Sequence, residues 1–141
     1  MSQGTFKKVG ESDQPLYGPR AMLVCGFGPE GQKQIMAFVA GLMLTDISVI
    51  FSKKDDGQAL MGELFARPDQ SGRDAAAGPD RAIILAGVTE AELQHILPAY
   101  RQSGLPRPLW ATLTPVSETW SLNALIAELK AERQAMENRQ S

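Results

Sequence analysis

The sequence predicts an α/β fold: two tandem β-α-β-α halves, about four mainly parallel strands, and helices packed on them. Two observations carry this. The first is self-similarity, which marks repeated architecture before any local reading. Arg20-Ala-Met-Leu-Val-Cys-Gly26 aligns with Arg81-Ala-Ile-Ile-Leu-Ala-Gly87, and each run closely follows a Gly-Pro pair, Gly18-Pro19 and Gly78-Pro79. Gly26, Ile35 and Leu44 share the spacing of Gly87, Ile96 and Leu105, and Gln58–Leu64 then aligns with Asn123–Leu129 after a short length difference. Shared Arg-Ala, Gly and Glu identities point to duplication. The second observation is the alternation of short apolar runs with helical periodicity, the mark of strand-helix-strand units.

The elements follow in order. Met22–Cys25 and Ile83–Ala86 are continuous apolar runs stopped by glycine, as in strands buried on both faces. Ile35, Phe38, Val39 and Leu42 recur at helical spacing, as do Leu93, Ile96, Leu97 and Tyr100. Pro29 suits a first helical position, and Thr89 with Glu92 forms a capping box. Pro98 is expected to bend or break the second of these helices near Leu97. Ile47–Phe51 and Leu109–Leu113 read as second strands, each parallel to the first strand of its half. Closing helices are expected over roughly Gly57–Ala66 and Ser121–Ala135. The resulting division is a loose N-terminal arm at 1–19, a first half at 20–66, a turn-rich polar linker at 67–80 and a second half at 81–137.

Bulk composition narrows the function. The 141 residues suffice for one domain without disulfide or metal staples. Sixteen acidic against 14 basic residues give a net charge of -2, so no positive field favours nucleic acid or an anionic membrane. Ile35–Leu44 is about half the ~20 residues of a membrane helix. One cysteine, Cys25, excludes an internal disulfide and fits a reducing compartment, so the cytoplasm is the expected location. One histidine and one cysteine assemble no familiar zinc ligand set, and no metal or cofactor is expected.

The second half also resembles a known family. Ile84-Leu-Ala-Gly87, the helix start Glu90-Ala-Glu-Leu93, Ser103-Gly-Leu-Pro106, Leu109-Trp-Ala-Thr-Leu-Thr-Pro115 and Trp120-Ser-Leu followed by Leu125–Leu129 carry the likeness. Over Ala82–Leu129 the chain resembles a small bacterial domain of about sixty residues that is known only as a domain of unknown function. The resemblance implies strand-helix-strand-helix and a tryptophan at the start of the last helix, but no activity. Family members tend to carry an asparagine shortly before that tryptophan, where this chain has Ser117, Glu118 and Thr119. The first half lacks both the tryptophan and the Thr-Pro loop.

Candidate sites are few. Gly26-Phe-Gly-Pro-Glu-Gly31 satisfies G-x-G-x-x-G between a strand and a helix, where backbone N–H groups hold a pyrophosphate. Gly26, Gly28 and Gly31 with Lys53 and Lys54 therefore form a candidate site for a small anionic ligand. Glu30 opposes it, and the plainer readings are a tight turn and a solvated charged loop. Cys25 reads as a small buried thiol and His95 as facing water, so no catalytic set is assembled. Thr114, Ser117 and Trp120 form a candidate partner contact at a loop-helix junction. The plainer reading of Trp120 is a staple for the last helix, and Trp110 belongs to the core. The leading expectation is a non-catalytic binding or regulatory module, contacting an unknown protein partner or a second copy through Trp120 and the last helix. The alternatives are a nucleotide- or phosphate-ligand enzyme using the Gly26–Gly31 loop, and a structural subunit of a larger assembly.

Overall fold

A computed structural model of the chain describes residues 14–44 and 46–140. Its elements run β1 (Ala21–Cys25), α1 (Pro29–Gly41), β2 (Ser48–Phe51), α2 (Met61–Phe65), β3 (Ala82–Ala86), α3 (Glu90–Gln102), β4 (Leu109–Thr112) and α4 (Leu122–Gln140). The four strands form one mixed sheet in the order β2-β1-β3-β4. Within each half the strands pair in parallel, and the central β1–β3 pair is antiparallel. The α/β class is therefore as the sequence indicates, and two of the three ladders are parallel.

Side chains alternate across the sheet and define two cores, as the period of two in a strand requires. Leu23, Cys25, Ile50, Ile84 and Leu109 face α2 and α4, where Met61, Leu64, Leu122 and Leu125 cover them. Met22, Val24, Phe51, Ile83 and Leu85 face the other way, under Ile35 and Val39 of α1 and Ile96 and Tyr100 of α3. Edge-to-face rings run through the second core from Phe38 to Tyr100 to Trp110, with centroids 5.3 and 5.1 Å apart. Burial on both faces explains why β1 and β3 read as unbroken apolar runs.

The halves are related by a local two-fold normal to the sheet. β1 and β3 begin at Ala21 and Ala82, α1 and α3 at Pro29 and Glu90, β2 and β4 at Ser48 and Leu109, and α2 and α4 at Met61 and Leu122, so the offset is 61 throughout. The axis passes between Leu23 and Ile84, which pair with each other. It also passes through an isolated bridge between Leu60 and Ser121, where Met61 N–H donates to the Trp120 carbonyl and Leu122 N–H to that of Ala59. This corrects the sequence alignment of Gln58–Leu64 with Asn123–Leu129. The equivalent of Leu64 is Leu125, four residues earlier, and there is no length difference. Four residues make about one helical turn, so both registers put the same apolar face inward.

Close approach of the halves fixes two glycines. Gly26 (φ +79°) lies so near the Asp80–Arg81 backbone that a Cβ would sit 2.1 Å from the Asp80 carbonyl oxygen. Gly87 (φ +68°) meets Pro19–Arg20 in the same way, with a Cβ 2.6 Å from the Arg20 Cα. A bidentate ion pair adds a second tie. Both guanidinium nitrogens of Arg20 lie 2.6 Å from the Glu92 carboxylate, which also accepts the Thr89 N–H at 2.9 Å and completes the expected capping box. Glu92 thus joins the start of β1 to the first turn of α3.

Pro98 does not break α3, which runs unbroken from Glu90 to Gln102. Ile96 and Tyr100, both buried, hold the helix on either side of the proline, and this packing outweighs one missing backbone bond. The closing helices differ more from expectation. α2 is only five residues long, whereas α4 reaches Gln140. Residues 67–80 lie against the first half: Gln70 N–H donates to the Val49 carbonyl, Phe51 N–H to Ser71 and Lys54 N–H to Ala76. Residues 1–13 of the expected arm lie outside the described residues. Leu16 N–H donates to the Val88 carbonyl and Gly87 N–H to that of Tyr17, so the rest of that segment runs along the loop after β3.

Two stability predictions follow from these ties. Gly26→Ala and Gly87→Ala should each lower the unfolding free energy by about 2–4 kcal/mol in urea titrations, through strain and backbone collision together. Gly28→Ala, with φ -73° and open space around its Cβ, should change it by less than about 0.5 kcal/mol. The Arg20 guanidinium holds the Glu92 carboxyl down to about 2, below its ordinary 4.5. The associated stability is present above the ordinary value and is lost as pH falls toward 2. Glu92→Gln should therefore destabilise the chain at neutral pH by roughly 1–3 kcal/mol. It should also flatten the decline of melting temperature between about pH 4.5 and 2.

Candidate functional site

The Gly-rich loop and the lysine pair meet at the carboxyl ends of β1 and β2. Gly26, Lys53 and Lys54 line a small cleft of about 70 Å³ with Cys25, Asp80 and Asn123. Gly28 and Gly31 do not line it. Gly28 precedes the proline that starts α1, and Gly31 packs against the Phe27 ring. The backbone donors of the lysine loop are already engaged: Lys53 N–H with the Asp56 carboxylate at 2.7 Å, and Lys54 N–H with the Ala76 carbonyl at 2.8 Å. Asp56 is itself buried, and its second partner is Arg67, at 2.8 and 3.0 Å. The Arg67 guanidinium, helped by the Lys53 N–H, holds the Asp56 carboxyl below its ordinary range. The cleft has room for two or three waters.

Thr114 and Ser117 occupy the equivalent loop after β4, 61 positions beyond Lys53 and Asp56. Thr114 N–H donates to the Ser117 hydroxyl oxygen at 3.1 Å, and Ser117 N–H to the Thr114 hydroxyl oxygen at 3.0 Å. The pair closes the loop on itself, as Asp56 closes its own on Lys53. Trp120 is half-buried against the α2–α4 core, at the bridge between the halves. Thr114 and Ser117 thus lie beside each other, while Trp120 stands at the local axis. Its equivalent, Ala59, explains why this side chain occurs once.

A third region is one of which the sequence marks only the last helix. The outer edge of β4 lies at the base of a groove of about 740 Å³ between α3 and α4. Its walls include Leu97 and Tyr100 from α3, Leu129 and Met136 from α4, and three arginines, Arg101, Arg107 and Arg133. Leu109 and Leu113 donate their N–H groups to the carbonyls of Arg81 and Leu85, which turns those of Trp110 and Thr112 outward. The equivalent outward groups on β2, those of Val49 and Phe51, are engaged: Val49 N–H by the Asp69 carboxylate at 2.8 Å, the Val49 carbonyl by Gln70 N–H at 2.6 Å, and Phe51 N–H by the Ser71 carbonyl at 2.9 Å. Among the described residues nothing engages their counterparts on β4. Only the absence of a turn signal after Leu129, where the first half has Pro68, marks this in the sequence.

Among the described residues no three His, Cys, Asp or Glu side chains converge as a metal site requires. None of their helices is long and apolar enough to cross a membrane. Residues 81–136 match the family described as a domain of unknown function, DUF3783. That span is β3 through most of α4, and it includes the whole groove. Neither a curated protein nor a solved structure matches the chain.

Cys25 is buried, and loss of water around it pushes its thiol up to about 12 against the opposing hydrogen bond with Ser52. Burial thus both disfavours the reactive thiolate and shields the sulfur. Iodoacetamide should therefore label the native chain at least about a hundredfold more slowly than the urea-unfolded chain. Equal rates would show that the thiol is accessible.

Proposed function

We propose that the chain is a non-catalytic binding module whose contact face is the open edge of β4 with the flanking parts of α3 and α4. The observation that carries this reading is the contrast between the sheet's two edges. One is closed by residues 69–71, while among the described residues the other leaves its outward backbone groups unengaged, with Trp110 lining an apolar, arginine-rimmed groove and Thr112 two residues further along the same edge. Unpaired strand edges are templates for another chain, and proteins otherwise cover or blunt them. The last helix belongs to this face. Trp120, two residues before α4 begins, does not line the groove.

Phosphate-ligand chemistry at the Gly26–Gly31 loop is the weaker reading. Small-molecule sites usually enclose about 300–1,000 Å³, well above the cleft present there. The glycines that suggested it also have separate structural reasons. The constant spacing of 61 positions supports descent of the two halves from one duplicated unit, and the lone buried thiol fits a reducing, cytoplasmic setting.

Thr112→Pro tests the contact face. It removes one outward N–H at an edge position, where proline is tolerated, and leaves the bonds to β3 intact. Its circular dichroism should match wild type, while partners retained by the immobilised wild-type chain from its native cell extract should be lost. An unchanged partner set would overturn this reading.

A further inference from the structure

The closed edge of the first half indicates what the open edge of the second half takes. At β2 the occupant is a short segment running in the strand's own direction. Its first residue, Asp69, accepts the Val49 N–H through its carboxylate, and its main chain meets Val49 and Phe51. The positions equivalent to Val49 and Phe51 are Trp110 and Thr112, so the same set of backbone groups is presented at β4. The positions equivalent to Asp69, Gln70 and Ser71 are Lys130, Ala131 and Glu132, which are committed to α4. Among the described residues, no segment of the second half lies along β4 as residues 69–71 lie along β2.

Charge specifies the missing segment further. The chain as a whole carries -2, yet among the described residues the groove walls contribute Arg101, Arg107 and Arg133 against the carboxylate of Glu132, with Glu137 beside Arg107 and Arg133 in the adjoining concavity. Arg133 reaches the Pro108 carbonyl at 3.2 Å, at the start of the strand edge. Arg101 and Arg107 are exposed, and no ion pair among the described residues includes either of them. Between these charges lie apolar walls from Leu97, Leu105, Leu129 and Met136, the last 58% exposed. A strand presents alternate side chains to alternate sides, so one segment can serve both surfaces.

We propose that the groove binds an acidic, extended peptide segment of a protein partner. The segment lies along the outer edge of β4 as residues 69–71 lie along β2, with carboxylates at Arg101 and Arg107 and apolar side chains on the helix walls. This rests on the open edge of β4 being the contact face. Main-chain bonds to Trp110 and Thr112 supply the docking, and the arginines supply the preference for acid.

The test is selection of a random dodecapeptide phage library on the wild-type chain. Enriched sequences are then titrated as synthetic peptides into Trp120→Phe, in which Trp110 is the single indole reporter. The expected peptides alternate Asp or Glu with apolar residues and change Trp110 emission. They should bind at least tenfold more weakly to the double variant Arg101→Glu/Arg107→Glu and to Thr112→Pro, with circular dichroism confirming that both variants fold. Peptides lost in Thr112→Pro but indifferent to the arginines, or lacking acidic residues, overturn the acidic segment and leave the edge contact standing. Peptides indifferent to both variants overturn the two together, and a selection without enrichment overturns the peptide proposal. Light scattering that shows a dimer dissociated by Thr112→Pro would assign the edge to a second copy and overturn it as well.

Discussion

The antiparallel pairing of β1 with β3 is the constraint on which the rest depends. It brings the two halves together at their most apolar strands and opposes their directions. The same pairing forces the chain after each central strand past the backbone entering the other, which leaves no room for a Cβ at Gly26 or Gly87. It also decides where ligand-binding loops fall. In an open parallel sheet the carboxyl ends of all strands gather on one side and form a crevice. Here the loops after β1 and β2 lie at one end of the sheet and those after β3 and β4 at the other. The glycine loop meets only the lysine loop of its own half, in a cleft with space for a few waters.

Within this frame, equivalent positions solve the same local problem with different residues. Asp56 and Ser117 both turn the loop after an edge strand by accepting a backbone N–H three residues earlier. A buried carboxylate needs a partner of opposite charge, whereas a hydroxyl does not. Asp56 finds its partner in Arg67, just beyond α2, and the ion pair draws the chain back toward β2. Pro68 cannot continue the helix, Asp69 then reaches Val49, and the edge is closed. Ser117 makes no such demand. α4 meets no proline and continues to Gln140, and among the described residues nothing covers the edge of β4. The two edges thus differ together with three features of the closed half that the open half lacks: the Asp56–Arg67 ion pair, the proline at 68 and the Asp69 contact with Val49.

The sequence discloses what local chemistry controls. Pro29, the Thr89–Glu92 capping box and the four apolar runs mark elements within a residue or two, because turn geometry and side-chain period act over a few residues. Features that depend on distant partners stay hidden. Nothing local distinguishes an antiparallel central pair from a parallel one, since both leave the strands buried on both faces. Helical periodicity misplaced the equivalence of α2 and α4 by one turn, because an amphipathic helix looks alike after four residues. The Gly26–Gly31 motif misleads for a related reason. Three glycines at a suggestive spacing carry unrelated roles: a crossing with Asp80, an open position before Pro29 and contact with Phe27. Polar residues 67–80 have the composition of a linker, yet part of that stretch serves as an edge cover, and only the contacts with Val49 and Phe51 reveal it.

An open strand edge is also a hazard, because it can pair with its own copy. β4 is only four residues long, and Arg101 and Arg107 stand beside it without ion-pair partners among the described residues. Pairing two copies edge to edge about a two-fold would bring these arginines from both chains into one groove, where like charges repel. Charged side chains and short length are the usual means of blunting an edge against itself. The same charges favour an incoming carboxylate. The arginine rim therefore discriminates between occupants: it disfavours the self-pairing to which a bare edge is prone and leaves the main-chain groups of Trp110 and Thr112 open to a segment of opposite charge.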